Sequence, residues 1–549
     1  MPTKITAGGE MFSDIHAPLA GLDVVRAFSK QPNRPLSEDK KIYARSCILG
    51  VNARGYEPMT FRARGGSRAG LSKWNPSPLV ADWVVQGMEV LVGTDFVPPG
   101  GNMQGSQSGR VVILVAVSQG NVFTAAAGDL GWVQAANATG ETPPLVFTGS
   151  VFSTQVNQKL WFADGTNYAY YDPVDNTVKP WIATGGTLPV DSAGNTPRLI
   201  CTWRGRIVLS GLIFDPQNWF MSAVTQPTDF DYSPLSTTAT QAIAGNNAPQ
   251  GLIGDVCTAL MPYSDDVLIF GGDHTIYRFR GDPMAGGQID RLSDATGVAW
   301  GAAWAKDPMG NLYFVSNKCG IYRMNPNNPY DYYPQRISQS IEPLVQDIDT
   351  GSNAISMIWN DRFQGLHVFV TPVAAPAVAT HYFWEQRTGA WWQDKFANNN
   401  HNPICCTTFD GNNPGDRAAL IGSWDGYVRA VDPAATTDDG TAIASAVMIG
   451  PILTKDLDEV MLKDMAIVLG VGSGNVTLTI RRGNSAEAAQ NAPDEQTLTL
   501  TNGRNVMKYI RLAGHAIFIK FASSVPWSME VISARLAILG KVRRRGLDN

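Results

Sequence analysis

Charge is scarce in this 549-residue chain: charged residues make up 17% of it, against ~25% in an average soluble protein. The net charge is −5. A dedicated nucleic-acid binder draws affinity from a strong positive excess, so that class is disfavoured for the whole chain. Histidine is equally sparse. The six residues His16, His274, His367, His381, His401 and His515 form no HxH, HxxxH or HExxH spacing, which leaves no pattern for a transition-metal site. Of the six cysteines, none forms a CxxC pair. Cys405 and Cys406 are adjacent, which disfavours a structural bridge between them, and small buried thiols are expected throughout. No apolar run reaches the ~18 residues of a membrane-spanning helix. The first residues, MPTKITAGGEMF, lack a basic start followed by an apolar stretch, so synthesis and folding in cytosol are expected.

What the chain does have is apolar content, at 44%, and many turn formers, with 54 glycines and 34 prolines. Disorder needs low hydrophobicity and high net charge, and neither is present. Short β-branched or aromatic runs recur: Val111–Val115, Leu160–Phe162, Ile207–Leu209, Val267–Phe270, Leu312–Val315, Leu366–Val370 and Ala419–Ile421. Four units align directly: LWFADGTNYAYYDP, VLIFGGDHTIYRFRGDP, LYFVSNKCGIYRMNP and LIGSWDGYVRAVDP. Each reads as a strand, a polar Gly/Asn/Asp turn, a second strand with an aromatic, then Asp-Pro or Asn-Pro. That is a hairpin stopped by a proline, which cannot donate to a ladder. A period of ~40–50 residues with about four strands per unit is the signature of a β-propeller, here with about seven units. The expected fold is all-β: an N-terminal arm over 1–80, a β-propeller over 81–440 and a β-sandwich over 441–549 ending in a basic tail.

The propeller is expected to end in a linker, Ala434–Thr441, whose Asp438 and Asp439 read as a solvated loop. Beyond it, Val476, Leu478 and Ile480 alternate with polar residues, as do Ile517, Ile519 and Phe521, and Ile532, Ala534, Leu536 and Ile538. This is the pattern of half-buried strands. One short packing helix is expected where Ile337, Ile341, Leu344, Val345 and Ile348 share a face, starting near Pro343.

The chemistry-bearing candidates are few. Gly470-Val471-Gly472-Ser473-Gly474 precedes a strand rather than a helix, so it reads as a turn and not a phosphate cradle. Asp164, Asp273 and Asp425 fall in equivalent hairpin turns. They read as turn caps, with paired glycosidase carboxylates as the rival interpretation. The 15 tryptophans read as filler between blades rather than sugar platforms. No catalytic residue, metal or cofactor is expected. Arg62, Arg64 and Arg68 in the basic Gly-rich stretch, with Arg543, Arg544 and Arg545 in the tail, are the candidate assembly contacts.

The middle of the chain carries a resemblance. It holds Trp203-Arg204-Gly205-Arg206, Ser210-Gly211, Pro216, Trp219-Phe220, Ser222, Pro227 and Asp229-Phe230. His274-Thr275-Ile276-Tyr277-Arg278-Phe279, Gly281-Asp282-Pro283, Gly297, Leu312-Tyr313-Phe314-Val315 and Gly320-Ile321-Tyr322-Arg323 follow. Together with Arg64-Gly65-Gly66-Ser67-Arg68 and the stretch from Arg511 to His515, Trp527 and Gly540 to Arg543, this resembles the tail hub or nozzle proteins of short-tailed bacteriophages. The resemblance implies a non-enzymatic virion structural protein in a homo-hexameric ring, assembled in the host cytoplasm. It further implies portal, adaptor and tail fibre or spike partners, and passing double-stranded DNA that is not specifically bound. The rival expectations are a propeller-based virion glycan-degrading enzyme and a non-enzymatic protein-binding scaffold.

Overall fold

The repeated hairpin is built from local chemistry. In the strand pair Lys159–Ala163 and Tyr168–Asp172, the turn places Gly165 at φ 83°, a left-handed conformation that glycine adopts without strain. The Asp164 carboxylate accepts the N–H groups of Thr166 and Asn167 at 2.9 and 2.7 Å. At the end of the second strand, Asp172 accepts the Val174 N–H across the intervening proline. Asp282 does the same for Met284 at 2.9 Å and Asp432 for Ala434 at 2.8 Å. The recurring Asp-Pro is therefore a side-chain-capped turn.

The computed structural model describes residues 19–25, 46–94, 96, 109–138, 145–232, 238–318, 320–453 and 459–540, with the backbone of short strands at Lys4–Ile5, Glu10–Ile15, Arg34–Pro35 and Tyr43–Ala44. Successive hairpins extend into seven antiparallel sheets with their strands in radial order. Their innermost strands are Val85–Gly93, Phe152–Val156, Leu199–Trp203, Cys257–Ser264, Trp304–Lys306, Asn353–Asn360 and Pro403–Phe409. This is a seven-bladed β-propeller. Adjacent side chains of one strand point to opposite neighbours. Leu160 and Phe162 pack with Leu91, Ile113 and Val115 of the first blade, whereas Trp161 and Ala163 pack with Ile200, Ile207 and Leu209 of the third. Burial on both faces is why these strands are continuous apolar runs rather than alternating ones.

The last blade is completed from the other end of the chain. Gly70–Lys73 pairs antiparallel with Val428–Asp432 as its fourth strand, so the ring closes through hydrogen bonds between distant segments. The expected short helix is present as Glu342–Gln346 with Pro343 in its first turn, between the fifth and sixth blades, and it buries Val345. A second helix, Ala486–Asn491, was not foreshadowed by the apolar spacing; the Ser485 side chain accepts the Ala488 N–H and caps it.

The C-terminal residues form a two-layer β-sandwich. One layer contains Ser445–Ile452, Ala516–Ser523, Val476–Gly483 and Gln496–Leu500. The other centres on Glu459–Leu469, paired with Ser528–Gly540 and Gly503–Met507. Between them lie Val476, Leu478, Ile480, Ile517, Ile519, Phe521, Ile532, Ala534 and Leu536. Ile538, at the end of its strand, is 41% exposed instead of buried with them.

Propeller and sandwich share one sheet. Leu49–Val51 pairs parallel with Ala390–Asp394, the outer strand of the sixth blade, and antiparallel with Ser445–Ile452. The result is a nine-stranded sheet. Ala53–Arg54 and Gly65–Ser67 then join the other sandwich layer through Ser528–Met529. Residues 46–73 thus cross the molecule and belong to both domains. The expected linker is not a solvated loop: Thr437–Asp438 pairs with Thr441–Ala442, Asp438 also bridges to Leu71, and the Asp438 side chain is fully buried. No described helix is long and apolar enough to cross a membrane.

Candidate functional site

The densest concentration of buried charge sits where propeller, sandwich and the crossing segment meet. Asn52 takes φ 51°, and its side chain bridges three segments that flank strands. Its Nδ2 donates to the Ala444 carbonyl at 2.8 Å, while its Oδ1 accepts the Lys395 N–H at 2.8 Å and Arg68 Nε at 2.9 Å. The Arg68 guanidinium also donates to both Asp438 oxygens at 2.8 and 2.6 Å. Beside it, the Arg54 guanidinium donates to both Asp394 oxygens at 2.8 and 2.6 Å. Two parallel bonds per pair fix orientation as well as charge. Aromatic faces complete the cage: Arg54 lies 4.1 Å from the Phe383 ring centre and Arg68 lies 5.1 Å from that of Phe396.

Titration behaviour follows from this geometry. Burial alone would raise the Asp394 carboxyl, but the Arg54 charge and hydrogen bonds, helped by Arg68, hold it below the ordinary carboxylate range. His367 is 3% exposed, its Nε2 has no hydrogen-bond partner, and burial reinforced by the Arg54 charge pushes it down to about 3. His381 is fully buried and likewise lowered to about 4 by burial. It accepts the Val370 N–H on Nδ1 and contacts Asn402 Oδ1 through Nε2 at 3.0 Å. Both rings are therefore neutral and structural at neutral pH. The arrangement can hold three chain segments together.

The structure scatters the candidates named from sequence. Arg64 and Arg68 are buried and present no surface to a neighbour. Arg64 lies 3.5 Å from Glu57 and 3.3 Å from Glu530, and Arg68 belongs to the network above. Their carboxylate partners are supplied within the chain, and two of them, Glu530 and Asp438, lie far off in sequence. Arg62 is exposed, and Arg543, Arg544 and Arg545 lie outside the described residues. Asp164, Asp273 and Asp425 sit on the second, fourth and seventh blades, each already engaged. Asp164 caps its own turn; Asp273 accepts Asn317 Nδ2 at 2.6 Å; Asp425 takes both Nη atoms of Arg429 at 2.9 and 2.7 Å. The Gly470–Gly474 stretch is a turn between two strands, with Gly472 at φ 83°. Cys47, Cys201 and Cys257 are buried free thiols, and Cys405 and Cys406 are half-buried. Burial raises the Cys405 thiol and pushes Cys406 up to about 12, so neither is an activated nucleophile. Cys319 lies outside the described residues. Among the described residues, no group of His, Cys, Asp and Glu is arranged to hold a metal ion.

The middle-chain residues that carry the phage resemblance build blades, and those nearer the ends lie in the crossing segment and the sandwich. Arg204 and Gly205 both have positive φ, at 50° and 70°, the requirement of the tight hairpin turn between the first two strands of the third blade. Arg206 is 1% exposed and donates to the carbonyls of Ser222, Ala239 and Gln241. Trp219 Nε1 donates to the Gly251 carbonyl. Gly66 lies so close to the sandwich that a Cβ there would stand 2.4 Å from the Trp527 carbonyl oxygen. Asn52, Arg54, Asp394 and Asp438 were not foreseen. The one available signal was charge inside otherwise apolar strands, because the pairing partners lie 340 and 370 residues apart.

No protein-family model matches the chain, and neither does any curated protein. Among solved structures, it is similar to YCF48 bound to D1 peptide at 11% identity and TM-score 0.39, covering 66% of this chain and 97% of that one. It is similar to YCF48 from Cyanidioschyzon merolae at 11% identity and TM-score 0.38, covering 66% and 99%. The extracellular domain of the one component system BT4673 from B. thetaiotaomicron matches at 12% identity and TM-score 0.39, covering 96% and 68%. With TM-scores of 0.39 and below, the propeller assignment rests on this chain's own sheet topology.

Proposed function

We propose that this chain is a non-enzymatic structural subunit of the tail of a short-tailed bacteriophage. In this reading it forms a homo-hexameric ring that extends the DNA exit channel below portal and adaptor, and it meets fibre or spike proteins at its periphery. It assembles in the host cytoplasm and resides in the virion tail. The observation that carries the reading is the continuous nine-stranded sheet joining the sixth blade to the sandwich, crossed by residues 46–73 and pinned by the buried Arg54–Asp394 and Arg68–Asp438 pairs. A conduit subunit must carry load between neighbours without hinging, and a shared sheet supplies that where a flexible linker would not. The resemblance in sequence points the same way. The net charge of −5 suits a channel through which DNA slides, since each phosphate neutralised adds affinity that ejection must break. Head-to-tail contacts close into a ring when the rotation between subunits divides a circle.

The test is assembly. Purified protein, alone and with phage portal and adaptor proteins, is measured by mass photometry and by class averages of negatively stained particles viewed down the axis. The expected result is a closed ring that stacks on the portal–adaptor complex. A monodisperse monomer that joins neither protein overturns the proposal.

A further inference from the structure

The innermost strands of the blades enclose a cavity of about 610 Å3 on the propeller axis, within the ~300–1,000 Å3 range of small-molecule sites. Its walls include Met88, Phe152, Leu260, Trp300 and Met357, with small polar residues such as Thr154 and Asn353 between them. Among the described lining residues there is no lysine, arginine or histidine, and one carboxylate, Glu89. We propose that this axial cavity is a binding site for a small organic amine, an ammonium group on an apolar body, with the Glu89 carboxylate as its counter-ion. This site is independent of the ring-forming role.

The charge balance selects the ligand class. Glu89 Oε1 accepts the Val90 N–H at 3.1 Å, and no cation shares the cavity with it. The inner strands beside Glu89 contribute only neutral groups to the lining: Ser153, Thr154 and Cys201 on one side, Cys405 and Cys406 on the other. Val111–Ser118, the strand behind Glu89, carries no charge. The lining residue Trp300 is covered by Arg198, whose guanidinium lies 4.2 Å from the ring centre and whose Nε donates to the carbonyl of Gly211, which is not a lining residue. Burial, only partly offset by the Val90 N–H, pushes the Glu89 carboxyl up to about 7. An anion entering this space would meet repulsion, and a neutral apolar ligand would leave the carboxylate unpaired. An ammonium group lets it stay ionised and satisfied in a low-dielectric setting, where a charge-assisted hydrogen bond is strong. Trp300 and Phe152 supply apolar and aromatic surface for the rest of the ligand.

Hexylamine is the probe, with hexanol as its uncharged counterpart. Binding is followed by titration calorimetry and by tryptophan fluorescence, since Trp300 and Trp304 line the cavity. Hexylamine stays protonated throughout, so its affinity should fall about 30-fold from pH 8 to pH 5.5 as Glu89 takes up a proton. Hexanol should bind more weakly than hexylamine at pH 8 and show no such fall. The near-isosteric Glu89→Gln should lose about as much hexylamine affinity at pH 8 as acid removes from the parent protein, and its pH profile should flatten. The wild-type pH profile tests the idea without any variant. Equal affinity for hexylamine and hexanol at pH 8, a flat wild-type profile, or unchanged binding by a folded Glu89→Gln protein each overturns the proposal.

Discussion

Acid should loosen this protein through two buried imidazoles before it reaches the carboxylates. A histidine in an unfolded chain titrates near ~6.5, whereas His367 and His381 in the fold titrate at about 3 and about 4. The folded values are depressed, so below about pH 6.5 the unfolded chain binds protons that the native state refuses, and stability falls with pH. At ~1.4 kcal/mol per pH unit, each ring withdraws about 2 kcal/mol by pH 5, or about 4 kcal/mol together. The groups around His367 are Arg54, Arg68, Asp394 and His381, with Phe369 and Phe383 packed on it at 5.6 and 4.7 Å between ring centres. Because His367 Nε2 has no partner, His367→Phe strands nothing at that nitrogen and keeps the aromatic packing. Denaturant melts of wild type and His367→Phe at pH 8, 6 and 5 give the comparison. The variant should lose about 2 kcal/mol less than wild type between pH 8 and pH 5. Glu89, whose raised value acts in the opposite sense, is common to both proteins and cancels. Identical pH slopes for the two would refute the reasoning.

Three further outcomes follow from the same structure. Arg68→Met leaves Asp438 buried without its partner and should cost about 3–5 kcal/mol, whereas Arg68→Met with Asp438→Leu should recover most of that; thermal melts of the single and double variants decide it. Gly66→Ala should unpair Gly65–Ser67 from Ser528–Met529, since the added Cβ would stand 2.4 Å from the Trp527 carbonyl oxygen; limited proteolysis should then cut between 46 and 73, and an intact wild-type digestion pattern contradicts this. Removing residues 541–549, which include Arg543, Arg544 and Arg545, should reduce ring formation in mass photometry while leaving the melting temperature near that of the full chain; undiminished rings speak against a role for the tail in assembly.

The legible parts of the fold were those set by neighbours in sequence. The LWFADGTNYAYYDP unit gives its own hairpin, because Asp164 caps the turn, Gly165 supplies the left-handed residue and Asp172 caps the exit. The alternation of Val476, Leu478 and Ile480 announces a strand with one buried face. The short helix at Pro343 was readable from spacing. By contrast, Asp438 looked like part of a solvated linker and is fully buried, because the arginine that makes its burial tolerable arrives from residue 68. Arg64 and Arg68 looked like free cations on an arm for the same reason.

The amino-acid order alone therefore determined the repeating hairpins, the all-β class and the scarcity of reactive groups, since turn caps, strand periodicity and composition act over a few residues. Only the folded chain decided that Leu49–Val51 would fuse propeller and sandwich into one sheet, that Gly70–Lys73 would close the ring, and that Glu89 would be the one carboxylate among the described residues lining the axial cavity. These are pairings and burials between segments hundreds of positions apart. Sheet edges and buried charges take their partners from whatever the ring brings beside them, and no local pattern records that choice.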